Sequence, residues 1–156
     1  MRQLLITVAL VLVAMFSAFA KPAAAPDFSG TWALNVAKST LPKDSNAKSQ
    51  TIVIDNKKSA IVFHYETDGK KWTESYTPDG KKRVSHNMPS GQLTSSARWN
   101  DSVLVIESTL DLKIPNATVV VTGLKPVIDT WTLSADGRTL THDFGDHKEI
   151  YVYEKQ

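Results

Sequence analysis

Beyond residue 27 the chain alternates apolar and polar residues with a period of two, and almost no stretch carries a helical period. Segments rich in Val, Ile, Thr, Trp and Tyr recur about every ten residues, separated by Gly, Asp, Asn and Pro. The pattern predicts strands at 28–35, 50–55, 60–66, 71–77, 82–88, 93–99, 102–110, 117–122, 127–134, 138–144 and 149–154. Strands this close in sequence pair antiparallel, because a parallel pair needs a crossover of roughly a dozen residues. Residues 37–48, with Pro42, read as a loop that has room for a brief helical turn.

The turns assign side chains to faces. A two-residue loop at Asp68-Gly69 has the dihedral signs that right-twisted strands require. It pairs Tyr65 with Trp72, Phe63 with Glu74 and Ile61 with Tyr76 on one face, and sets Glu66 against Lys71 on the other. Thr77-Pro78-Asp79-Gly80-Lys81 suits a three-residue loop with Gly80 in the left-handed position. That register sets Glu74 opposite Val84 and Trp72 opposite His86, with Val84 and Met88 inside; a two-residue loop would turn Arg83, Ser85 and Asn87 inward instead. A loop at Asn100-Asp101 pairs Ala97 with Leu104 and Ser95 with Ile106, keeps Trp99 on their face and leaves Arg98 outside. A loop at Asp136-Gly137 gathers Trp131, Leu133, Leu140, His142 and Phe144 on one side. On the first strand Phe28, Gly30, Trp32 and Leu34 share a face, so all four tryptophans point inward.

A long sheet with one apolar face must cover that face, and closing it on itself also removes exposed edges. The expected fold is therefore all-β: a single antiparallel up-and-down β-barrel of about 8–10 strands. Small residues at Gly30, Ser95 and Ala97 leave internal space beside the tryptophans. A two-sheet sandwich is the alternative.

The first twenty residues have the marks of a secretion signal. Arg2 supplies a positive start, Leu4 to Phe16 an apolar stretch, and Ala18-Phe19-Ala20 a small-x-small cleavage site. The expected organisation is a signal peptide at 1–20, a Pro/Ala-rich tether at 21–27 and a barrel domain at 28–156, exported to a periplasmic or extracellular location. No later segment is long and apolar enough to span a membrane as a helix. Removing the leader takes only Arg2 from a net charge of +2, which leaves no footprint for nucleic acid. Lys57-Lys58, Lys70-Lys71 and Lys81-Lys82-Arg83 fall at hairpin ends as solvated turn residues. With no cysteine, neither a disulfide nor a cysteine-linked lipid is available. Oligomeric state is not legible.

Phe28-x-Gly30-Thr31-Trp32-x-Leu34 on a first strand resembles the opening of the calycin superfamily, the lipocalins and fatty-acid-binding proteins. It is most similar to that of secreted bacterial lipocalin-like proteins of unknown function. The resemblance implies a calycin-like barrel in which Trp32 closes one end and Gly30 permits tight strand contact. Three features depart from it. Val36 to Ser49 is too short and polar for the helix–turn–helix lid of fatty-acid-binding proteins. Tyr151-Val152-Tyr153 lacks the arginine of their carboxylate clamp, and no arginine follows Arg138 to stand against the first-strand tryptophan as in lipocalins.

The sharpest candidate chemistry is Glu74, placed inward between Trp72 and Tyr76 with His86 diagonally across. Burying a carboxylate there is costly unless His86 or a ligand offsets it. One reading makes Glu74 and His86 the polar end of a cavity lined by Phe63, Tyr65, Trp72, Tyr76, Trp99 and Trp131. The other leaves Glu74 at the barrel mouth, facing water. His142-Asp143 and Asp146-His147 carry metal-ligand chemistry, but neighbours in a strand face opposite ways, so the group reads as a solvated turn. No metal and no cofactor is expected. The chain has no Gly-x-Ser-x-Gly elbow, no cysteine nucleophile and no phosphate-cradling loop. Asn116-Ala117-Thr118 fits a glycosylation sequon.

These observations favour a non-catalytic binding protein for a small apolar or aromatic molecule. Two other classes stay open: an envelope structural or stress protein acting through its surface, and a barrel enzyme using Glu74 and His86 as acid and base. An outer-membrane barrel would need apolar outward bands, whereas the outward positions hold Lys71, Thr73, Ser75, Thr94, Ser96 and Arg98.

Overall fold

The computed structural model describes residues 24–43, 45, 49–57, 59–113, 120–121 and 124–156. The expected leader at 1–20, the start of the tether and the Asn116-Ala117-Thr118 sequon lie outside the described residues. The strands are β1 (Gly30–Leu34), β2 (Gln50–Lys57), β3 (Ala60–Thr67), β4 (Lys70–Tyr76), β5 (Arg83–Met88), β6 (Gly91–Asn100), β7 (Val103–Lys113), β8 (Val120–Val121), β9 (Val127–Leu133), β10 (Thr139–Asp143) and β11 (Ile150–Lys155). Single 3-10 turns stand at Val36–Lys38 and Gly145–His147. The first is all the helix among the described residues between β1 and β2.

All pairs are antiparallel, in the order β4-β3-β2-β1-β11-β10-β9-β7-β6-β5, with the short β8 added to β7. The first strand thus lies between β2 and the last strand, and the sheet wraps into a nearly closed all-β barrel of the calycin type. Asn56 donates from Nδ2 to the Pro26 carbonyl at 3.1 Å, fastening the chain just before β1. Asp68 and Gly69 both take positive φ, 50° and 76°, and the β3–β4 hairpin has the expected register, Tyr65 opposite Trp72 and Phe63 opposite Glu74. Lys71 Nζ lies 3.2 Å from Glu66 Oε2 across the outer face. The β9–β10 hairpin likewise pairs Trp131 with His142 and Leu133 with Leu140.

Two expected pairings are corrected. In the β6–β7 hairpin Ala97 meets Ile106, and Ser95 meets Ser108. The loop is Asp101-Ser102, with Asp101 left-handed at φ 51°, so the register moves by two residues and every side chain keeps its face. The second correction is larger: β4 and β5 do not pair at all, and they form the two free edges of the sheet. Asp79 accepts both Arg83 guanidinium nitrogens at 2.7 Å and the Lys81 N–H at 3.0 Å, curling the connection on itself. Gly80 donates its N–H to the Ala97 carbonyl at 2.8 Å, which draws the turn onto β6 and away from β4. The ladder between β4 and β5 is thereby forgone, and a seam opens.

Phe28, Trp32, Ile52, Ile54, Ile61, Phe63, Leu104, Trp131, Leu140 and Tyr153 are fully buried and fill one end of the barrel. Trp32 donates from its indole nitrogen to the Phe28 carbonyl at 2.9 Å, and Phe28 packs edge-on against Trp99 at 5.3 Å. Lys155 Nζ stands 5.4 Å from the centre of the Trp32 ring. A cation from the last strand therefore faces the first-strand tryptophan, supplied by lysine where an arginine is lacking.

Candidate functional site

The packed end stops at Phe63 and Trp131, whose rings meet at 4.8 Å across the barrel. Beyond them lies a cavity of about 370 Å³. Alternation in β4 directs Trp72, Glu74 and Tyr76 toward it, and alternation in β9 directs Val127, Asp129 and Trp131. From β10 and β11 come His142 and the tyrosines 151 and 153. A second, larger space of about 620 Å³ occupies the seam between β4 and β5. Both spaces are bounded by Trp72, Glu74, Tyr76 and Leu93, so the lumen opens to solvent through the seam.

Aromatic rings make most of the lumen wall. Tyr65 and Trp72 stack at 4.9 Å with planes 7° apart. Trp72 keeps 41 % of its surface exposed because it sits on an edge strand at the seam. Trp131, by contrast, is buried between Phe63 and the His142 imidazole.

The polar groups divide into satisfied and unsatisfied ones. Tyr76 donates its hydroxyl to Glu74 Oε2 at 3.1 Å, and Tyr153 donates to Gln50 Oε1 at 2.5 Å. Ser108, Ser95 and Ser85 form a hydroxyl chain with 2.9 Å steps. Burial, followed by the charge of Glu74, raises the Tyr65 and Tyr76 hydroxyls well above the usual phenol range. Asp129 Oδ1 and His142 Nε2, in contrast, are buried and have no hydrogen-bond partner among the described residues. Burial pushes the Asp129 carboxyl up to about 6, with Glu74 adding to the rise. Burial alone pushes the His142 imidazole down to about 3, so it is neutral near pH 7.

The residues singled out from the sequence separate into three places. Tyr65, Trp72, Glu74, Tyr76 and Trp131 line the lumen together. Phe63 and Trp99 belong to the packed end, Phe63 beneath the lumen and Trp99 against Phe28. His86 is exposed on β5 and borders the outer seam, since the absent β4–β5 ladder leaves it across a gap from Glu74. A bulge between Val84 and His86 shifts the β5 register, leaving Val84 48 % exposed where an inward side chain was expected.

Asp129 and His142 are the functional residues the sequence reading missed. Asp129 alternates with Trp131, so its inward face was available from the pattern, though nothing marked it among the other acids. His142 lies on the inward face that the pattern predicts, but it is no solvated turn residue: it is 7 % exposed and stacked on Trp131. Its expected turn partners go elsewhere. Asp143 accepts the Gly145 N–H at 2.7 Å, and Asp146 pairs with Lys125.

No protein-family model matches the sequence, and no curated protein matches it. Among solved structures the chain is similar to a fatty acid transporter, REP1-NXSQ, and to a single-site mutant of the fluorescent protein UnaG. Each is 14 % identical, with a TM-score of 0.58, over 83 % of this chain and 96 % of the other. At that identity the likeness is one of fold, the calycin-like barrel.

Proposed function

We propose that this chain is an exported binding protein, periplasmic or extracellular, that holds one small apolar or aromatic molecule in its lumen without transforming it. The observation that carries this reading is the aromatic cavity of about 370 Å³, roofed by Tyr65 and Trp72 and floored by Trp131. Small-molecule sites are concave and largely apolar with a few placed polar groups, and this lumen has that composition. The seam between β4 and β5 offers a route in that requires no unfolding of the packed end. Support for export comes from the leader pattern of Arg2, the apolar run and Ala18-Phe19-Ala20. The similar fold of a protein described as a fatty acid transporter supports an apolar cargo.

The test is titration with N-phenylnaphthylamine, a neutral probe whose emission rises on leaving water. The expected result is saturable, one-to-one enhancement that is lost when Ile106→Trp, at a buried position lining the lumen, fills it while the unfolding transition stays cooperative. Enhancement that survives a cooperatively folded Ile106→Trp, or no enhancement at all, would overturn the reading.

A further inference from the structure

The lumen carries a charge pattern that says more about its occupant than its size does. Two carboxylates line it, Glu74 from β4 and Asp129 from β9, and no lysine or arginine among the described residues does. These strands are not neighbours in the sheet, so the two acids approach the cavity from different walls. Glu74 already accepts from Tyr76. Asp129 Oδ1 has no donor, and neither does the more deeply buried His142 Nε2 have a partner. Buried polar atoms without partners are uncommon and call for an explanation. Both residues line the cavity, so a bound molecule there can engage them once the side chain turns toward it.

Resting on the binding reading above, we infer that the lumen takes an organic ammonium: an apolar alkyl or aromatic body bearing a primary or secondary amine. The ammonium N–H groups would donate to the carboxylates of Asp129 and Glu74. The faces of Tyr65, Trp72 and Trp131 add attraction for a cation lying over them. A carboxylate ligand meets the opposite situation. It would bring a third negative charge into a space lined by two acids and, among the described residues, by no cation, where repulsion is weakly screened. The fatty-acid cargo of a similarly folded barrel is thus the wrong head group for this one, although its apolar tail would fit.

A matched series decides the point: decylamine, decanol and decanoate, each displacing N-phenylnaphthylamine from the full chain at about pH 7.5, where the amine is protonated. Decylamine is expected to bind at least about tenfold more tightly than decanol, with decanoate weakest. In Asp129→Asn and in Glu74→Gln the ratio of amine to alcohol affinity should fall by about tenfold. Decanol or decanoate binding as well as decylamine would overturn the ammonium inference and leave the apolar binding reading intact. An amine preference unchanged in both variants would overturn it too, because the head group would then sit elsewhere. Failure of all three to displace a bound probe would overturn the ammonium inference, whereas absence of any probe binding would remove the binding reading itself.

Discussion

The His142 imidazole lies flat on the Trp131 indole, with ring centroids 3.9 Å apart and planes 13° from parallel. This stack joins the packed end of the barrel to its open lumen. It also holds a titratable ring where water does not reach Nε2, and that has a consequence for stability.

His142 is held neutral, at about 3 against an ordinary 6.5. A depressed value means that the unfolded chain takes up the proton first. Its contribution is therefore present above about pH 6.5 and is lost as the pH falls toward 3. Urea unfolding should show His142→Phe losing less stability than the parent between about pH 6.5 and 4, by of order 2 kcal/mol. Parallel pH profiles for the two proteins would contradict the burial of this ring.

Asp129 has the opposite sign. Its carboxyl is raised from 3.8 to about 6 by burial, then by Glu74 and less by Asp143, with His147 opposing. Its stabilising contribution is complete below about 3.8 and lost as the pH rises through about 6, so the ionised form burdens the fold at neutral pH. Asp129→Asn should gain about 1–2 kcal/mol near pH 7.5 and almost nothing near pH 3.5. A gain that does not depend on pH would show that charge is not its source.

The two lumen tryptophans should differ in structural weight. Trp131 is 1 % exposed and packed on three sides, whereas Trp72 sits at the seam, 41 % exposed. Trp131→Ala should cost about 3–5 kcal/mol in unfolding free energy. Trp72→Ala should cost about 1 kcal/mol, mostly its stack on Tyr65, while weakening binding of the neutral probe. Equal costs would contradict the division into a packed end and an open one.

Gly30 has φ 138°, and a Cβ there would meet Lys155 Cε at 3.1 Å. Lys155 is the residue set over Trp32, so the methyl group would disturb that contact as well as the backbone. Gly30→Ala should destabilise by about 1–3 kcal/mol in denaturant unfolding. An unchanged midpoint would mean that β1 relaxes without cost.

Local chemistry made most of the barrel legible. Asp68-Gly69 is a residue pair that selects one turn, and its hairpin has the register that pair demands; the hairpin at Asp136-Gly137 keeps the expected register although its turn runs from Ser134 to Gly137. At Asn100-Asp101-Ser102 the loop lies one residue beyond the expected Asn100-Asp101 and keeps the same inward face, and periodicity of two cannot separate registers two residues apart. The seam was hidden for a different reason. Pro78-Asp79-Gly80 is good turn chemistry, but the Asp79–Arg83 pair and the Gly80–Ala97 bond are contacts that local turn rules do not encode. Once β4 and β5 part, His86 loses its place opposite Trp72, and the polar end of the lumen passes to residues from β9 and β10. Asp129 and His142 come from strands about fifty residues or more beyond Glu74 in sequence. Only closure of the sheet through β1 and β11 brings them near it. The lysine at 155 shows the same limit, since a search for arginine overlooks another cation at the needed position.

The most direct measurement is a crystal structure of the protein grown with decylamine. The account predicts the alkyl chain inside the barrel, between the Trp131 floor and the Tyr65–Trp72 pair, with its nitrogen within about 3.2 Å of an Asp129 carboxylate oxygen. A lumen containing only water, or an amine lodged on the outer surface, would contradict it.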